Sequence, residues 1–102
     1  MLQCRMKIIA LRTLREFWER HPQAEIPLRG WYAEASHAEW RTPADIKAAH
    51  GNASFLGNNR VVFNIKGNDY RLVVAVRYTQ TLMFIRFVGT HAEYDRIKAE
   101  II

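Results

Sequence analysis

Arg60-Val61-Val62-Phe63-Asn64-Ile65-Lys66-Gly67-Asn68-Asp69-Tyr70-Arg71-Leu72-Val73-Val74-Ala75-Val76-Arg77-Tyr78 is the stretch that decides the fold. Val, Ile, Phe and Tyr crowd both halves with a period of two, and a Gly-Asn turn divides them, the pattern of two antiparallel strands. If Ile65 pairs with Tyr70 around Lys66 to Asp69, Phe63 meets Leu72 and Val61 meets Val74 on one side. That side is the core, because a slip of one residue would exchange buried and exposed faces. Met83 to Val88 reads as a third antiparallel strand after a Thr79-Gln80-Thr81 turn. In the same phase Tyr78 pairs with Met83, Val76 with Ile85 and Val74 with Phe87. The opposite face then carries Asn64, Arg71, Arg77 and Arg86. Asn64, Arg71 and Thr90 share a rung, and Arg86 stands beside Ala75, about 13 Å further along by strand rise. Every charged residue on that face of the second and third strands is arginine, where a solvated face normally mixes polar types.

Upstream, Lys7 to Ala10 reads as a short strand. Leu11, Leu14, Phe17 and Trp18 come next at helical spacing until Pro22 ends the helix. Pro27 is placed to open a second helix with Leu28, Trp31, Tyr32 and Ala35 on one stripe, so the two form a hairpin whose aromatic stripes are core. Thr42-Pro43 with Asp45 starts a short third helix that Gly51 stops. Gly51 to Asn59, rich in Gly and Asn, reads as loop. The expected architecture is α+β: a short N-terminal strand and a helical hairpin packed on an antiparallel sheet, then a C-terminal helix. All 102 residues form one domain, with residues 1–5 a disordered extension or an upstream start ahead of Met6.

The C-terminal helix is announced by Thr90-His91-Ala92-Glu93, a capping box in which the Thr90 hydroxyl and the Glu93 carboxylate satisfy orphan backbone donors. His91 opens that helix and shares a face with Tyr94 and Asp95. At the positive end of the helix its neutral form is favoured, which suits proton transfer. Cleaving RNA without a metal takes a base for the 2′-hydroxyl, cations for the anionic phosphorane and an acid for the 5′-oxygen. The residue types are all here: His91 as acid or base, Lys66 for proton transfer or charge, Arg71 and Arg86 on the phosphate, Tyr94 for stacking or hydrogen bonding. Asn64, Arg77, Asn68 and Arg60 are the further RNA-contacting candidates. Histidines 21, 37, 50 and 91 lack metal-ligand spacing, and no phosphate-binding glycine loop occurs, so neither metal nor cofactor is expected.

Fifteen Lys+Arg against ten Asp+Glu give a formal charge of +5, a footprint for nucleic acid or an acidic protein, or simply for solubility. The 49% hydrophobic content is that of an ordinary globular domain. Cys4 is the single cysteine, which excludes an internal disulfide and fits a reducing cytoplasm. Apolar runs are short, so neither a membrane span nor an export signal is expected.

Asn59 to Asn68, the adjoining Tyr70-Arg71-Leu72-Val73, Gly89 to Asp95 and the early Arg12-Thr13-Leu14-Arg15-Glu16-Phe17-Trp18 together resemble the HigB-type toxins of bacterial type II toxin–antitoxin systems. The resemblance implies a RelE-like fold and a ribosome-associated mRNA endonuclease that cuts translated messages in the A site with no metal. It also implies a HigA-type helix-turn-helix antitoxin as partner, contact with operator DNA only through that antitoxin, and a complex that represses its own operon. By position, the basic residues of RelE-like strands correspond to Lys66, Arg71 and Arg86, and the C-terminal aromatic to Tyr94. The chain departs from the RelE pattern in carrying Asn64, a single lysine near the turn, and His91, which leaves His91 and Lys66 both open as the general base. The competing expectation is a non-catalytic basic module that binds RNA or the antitoxin as a corepressor.

Overall fold

In a computed structural model, which describes residues 5–102, the chain runs β1 (Lys7–Ile9), α1 (Leu11–Arg20), a 3-10 turn (Pro22–Ala24), α2 (Glu25–His37) and α3 (Pro43–Ala49). It continues β2 (Ser54–Leu56), β3 (Arg60–Ile65), β4 (Tyr70–Arg77), a 3-10 turn (Tyr78–Gln80), β5 (Leu82–Thr90), α4 (His91–Tyr94) and a last 3-10 turn (Ala99–Ile101). Of the expected extension at 1–5, residues 1–4, and Cys4 with them, lie outside the described residues. Among the described residues no helix is long and apolar enough to cross a membrane.

The helices form where spacing and caps require them. Leu14, Phe17 and Trp18 bury one face of α1, while Arg12 and Glu16 pair at 2.9 Å on its exposed side. His21 closes α1 by donating its N–H to the Phe17 carbonyl, and Pro22 cannot extend it. α2 starts at Glu25, two residues ahead of Pro27; within the first turn a proline costs nothing, since the first four N–H groups have no helical partner. α3 opens on a complete capping box, with Thr42 accepting from the Asp45 N–H and Asp45 accepting from the Thr42 N–H. Hydrogen bonds from the Arg41 and Thr42 amides hold the Asp45 carboxyl below its ordinary value, although partial desolvation works against them.

The sheet has five strands in the order β1-β5-β4-β3-β2. β1 lies parallel to β5 and the other pairs are antiparallel, so the sheet is mixed rather than purely antiparallel. β2 replaces part of the expected loop, pairing Ser54, Phe55 and Leu56 with Val62, Val61 and Arg60. The β3–β4 register is the expected one: Ile65 opposite Tyr70, Phe63 opposite Leu72 and Val61 opposite Val74. Lys66 and Gly67 turn the corner with φ of 53° and 65°, a left-handed pair that glycine adopts freely and lysine only under constraint. One face of the sheet packs on the helices, bringing Leu14, Phe17, Leu28, Trp31 and Ile46 onto Phe63, Leu72, Val74 and Met83.

β5 corrects the expected register. Val76 pairs with Met83 and Val74 with Ile85, then the ladder shifts and resumes as Val73 with Phe87 and Arg71 with Gly89. The paired residues leave Arg86 as the extra residue of a β-bulge. Tyr78 is consequently outside the strand, in a turn that ends with Thr81 at φ 51°. The bulge also reverses the faces of the strand residues beyond it. Phe87, expected in the main core, joins Val62 and Val73 on the opposite face, and Val88 packs against the main core instead.

That outer face is therefore not simply solvated. Tyr94, Ile97, Ala99 and Ile102 fold back over Val62, Val73 and Phe87 as a second apolar cluster. Gly89 is the tightest point of this return: a Cβ there would meet Phe87 Cζ at 2.5 Å and Glu93 Oε1 at 2.8 Å. Glu93 Oε1 already accepts the Thr90 N–H at 2.8 Å in the α4 capping box. Gly89→Ala must displace the ring, the cap or both, and is expected to cost about 1–3 kcal/mol. Thermal denaturation checks it, and an unchanged midpoint would mean that Phe87 and Glu93 yield freely.

Candidate active site

The predicted residues fall into two groups on the outer face. The first occupies the corner where the β3–β4 turn meets α4. Here the His91 N–H donates to the Asp69 carbonyl at 3.3 Å, tying the start of α4 to the turn. Asn64 and Arg71 are cross-strand partners, and the observed rung continues to Gly89 rather than to Thr90. Arg71 is half-buried and donates Nη1 to the carbonyls of Asn68 at 3.0 Å and Tyr70 at 3.4 Å. Lys66 is exposed and pairs with Asp69 at 3.0 Å. His91 Nε2 lies 3.8 Å from Asp95 Oδ1, and both side chains are about 60% exposed, at 59% and 62%. Exposed pairs of this kind hold by at most about 1 kcal/mol, so a phosphate can displace the carboxylates readily.

The second group lines a cavity of about 380 Å³ at the other end of the same face, formed by Arg60, Arg77, Arg86, Phe84 and the Asn58-Asn59 turn. Ala75, the small residue expected beside Arg86, is instead the partner of Phe84, and both Ala75 and Arg86 line the cavity. Arg60 is anchored: Nε donates to the Ile102 carbonyl oxygen at 2.9 Å, Nη2 reaches the same oxygen, and Nη1 donates to the Asn58 carbonyl at 2.9 Å. Partial burial, then the charges of Arg86 and Arg77, lower the Arg60 pKa from its usual value. Three guanidiniums thus crowd one another. Among the described residues neither Arg77 nor Arg86 has a carboxylate partner.

Between the groups lies the C-terminal return. Arg86 is three residues from Gly89, so the two groups are separated by roughly 10 Å along the strand. Tyr94 packs into the apolar cluster with Phe87 and is only partly exposed, at the boundary between them. The structure therefore brings together Lys66, Asn68, Arg71, Asn64 and His91, and separately Arg60, Arg77 and Arg86. Sequence reading missed Phe84, whose signal was its alternation opposite Ile85, and the Asn58 amide, which donates to the Glu100 carbonyl at 2.7 Å and fastens the tail.

Residues 24–97 match the family model for HigB_toxin, described as the RelE-like toxic component of a toxin–antitoxin system. The chain is 30% identical over 93 residues to the mRNA interferase toxin HigB of Escherichia coli strain K12, with 88% of each chain covered. It is 24% identical over 94 residues to the mRNA interferase HigB of Escherichia coli O6:H1, covering 90% of this chain and 91% of the relative. A match spanning the outer sheet face, its connecting turn and α4 includes every residue of both cationic groups. The chain belongs to the HigB toxin family, the RelE-like toxic component of toxin–antitoxin systems.

Proposed function

We propose that the protein is an mRNA interferase: an endoribonuclease that acts in the cytoplasm on messages held by the ribosome and so arrests translation and growth. The observation that carries this reading is the corner where the β3–β4 turn, flanked by Lys66 and Arg71, is tied through Asp69 to the start of α4 at His91. In the proposed reaction a base removes the 2′-hydroxyl proton, and the freed oxygen attacks the adjacent phosphorus. The bond to the 5′-oxygen then breaks as an acid protonates it, leaving a 2′,3′-cyclic phosphate and a 5′-hydroxyl. Arg71 holds the phosphorane charge, while Arg86, roughly 10 Å further along the strand, meets the message away from the scissile phosphate. His91 and Lys66 carry the proton transfers, in an order that alanine variants of each resolve, and Tyr94 offers a ring edge to the base beside the scissile bond.

The isolated chain presents its cations in two groups rather than around a closed pocket. Orientation by the ribosome supplies the missing alignment, since fixing a reactant in a near-attack geometry is worth several orders of magnitude. The partner proposed for the resting state is a HigA-type helix-turn-helix antitoxin, through which the complex reaches operator DNA and represses its own operon. Primer extension on transcripts after brief induction tests the reading. Breaks are expected inside translated reading frames and are expected to vanish when translation of the same transcript is blocked. Breaks that persist without translation would remove the ribosome from the proposal. No breaks at all, with salt-sensitive RNA binding retained, would favour the non-catalytic corepressor.

A further inference from the structure

We infer that the cavity between Arg60, Arg77, Arg86 and Phe84 is a nucleotide subsite for single-stranded RNA, with a base stacked on the Phe84 ring and its phosphate held by Arg77 and Arg86. The inference rests on the reading of the chain as an RNA-cleaving toxin and goes beyond it by naming a second contact, remote from the Arg71 corner.

Phe84 is the observation that singles this cavity out. A half-buried phenylalanine on a sheet normally packs into an apolar cluster, yet Phe84 belongs to neither of the two clusters that the sheet supports. It forms cavity wall instead, with the Arg86 guanidinium carbon 5.9 Å from its ring centroid. Its strand partner is Ala75, so no large side chain from β4 covers the ring. A ring that lines a cavity beside arginines and is claimed by neither apolar cluster is a surface on which a base can stack, because every base offers a π-face and every nucleotide brings one negative charge.

The charges agree with that occupant. Arg77 and Arg86 are exposed and have no carboxylate partner among the described residues, so their attraction for an anion is unspent. Arg60 differs, since its three hydrogen bonds to backbone carbonyls fix it as the floor of the site. An acidic protein segment would satisfy the guanidiniums equally well, but it has no use for the ring. Phe84 therefore decides for RNA.

The test is binding of a fluorescein-labelled, single-stranded 2′-O-methyl oligoribonucleotide, which cannot be cut because its nucleophile is blocked. Phe84→Ala is expected to weaken binding about tenfold, and Phe84→Trp to keep the parent affinity. Arg77→Ala is expected to weaken binding and to reduce the slope of log affinity against log salt by about 0.7, one single-strand phosphate contact. With an abasic strand of equal length the parent and Phe84→Ala are expected to bind alike. Thermal midpoints of the variants, expected near the parent because Phe84 is outside both cores, verify the fold.

Equal affinity of Phe84→Ala and parent for the base-bearing strand would overturn the inference. So would an oligoglutamate peptide whose binding shows the same dependence on Phe84, which would assign the cavity to an acidic protein. A parent that cuts messages in cells but binds independently of Phe84 would sink the subsite and spare the proposed function. A parent that never cuts but binds through Phe84 would do the reverse.

Discussion

Arg71→Ala is expected to lower cleavage of translated messages by about 10²-fold or more, the usual loss when one pre-positioned charge is withdrawn from a phosphorane-like transition state. Arg71 is suited to that role because its charge is held in place without being neutralised. Its contacts are backbone carbonyls at 3.0 and 3.4 Å, and it is half-buried between Asn64 and Gly89, so part of its hydration is already removed. A desolvated, unpaired guanidinium gains more from an anion than a fully hydrated one does. Arg71→Lys keeps the charge but loses the planar fork, so it is expected to recover only part of the rate. Primer-extension yield per unit of induced protein is the measurement, with circular dichroism to verify the fold. Cleavage by Arg71→Ala within about threefold of the parent would be far short of the loss expected for a phosphate-holding group and would move the chemistry elsewhere. His91→Ala and Lys66→Ala, measured beside it, assign the proton transfers: the variant with the larger loss marks the group on the rate-limiting transfer.

The second large effect is on folding. Phe63→Ala is expected to cost about 3–5 kcal/mol, a large share of the roughly 5–15 kcal/mol by which domains of this kind are stable. Phe63 is 1% exposed at the centre of the main core. Three rings close around it: Trp31 at 5.4 Å edge-on, Trp40 at 6.0 Å stacked and His50 at 5.1 Å edge-on. Those residues come from α2, from the segment before α3 and from its end, so one side chain joins three pieces of the helical layer to β3. Removing it leaves a cavity that rigid rings cannot collapse into, the circumstance in which a large-to-small substitution costs most. Urea denaturation gives the value, and a loss below about 1 kcal/mol would mean that the layer is looser than its ring contacts imply. Phe63→Leu, which retains most of the apolar volume, is expected to fall well short of the alanine loss.

Phe63 and Asn64 are neighbours on β3, one facing the core and the other beside Arg71, so the strand that organises the fold also places the corner. This coupling makes the corner legible before any coordinates. The turn from Lys66 to Asp69 sets the β3–β4 register, the register sets Asn64 against Arg71, and the Thr90–Glu93 capping box sets where α4 begins and hence where His91 stands. Each step is local: a turn residue, a period of two, or a side chain within three residues of the amide it caps.

What local pattern does not carry is the arrangement of the remaining cations. β2 is three residues long and lies between a turn and a glycine, too short to display a period, and it exists because β3 offers it an unpaired edge. The bulge at Arg86 answers to packing at a distance: Phe87 lies on Val73 under Tyr94 and Ile97, residues up to ten positions further on. Chain chemistry alone settled the β3–β4 hairpin, the helices, the caps and the Asn64–Arg71 rung, because those depend on neighbours in sequence. Only tertiary packing divided the arginines into two groups and opened the Phe84 cavity, because a one-residue shift in β5 gains its stability from side chains that the local pattern never brings together.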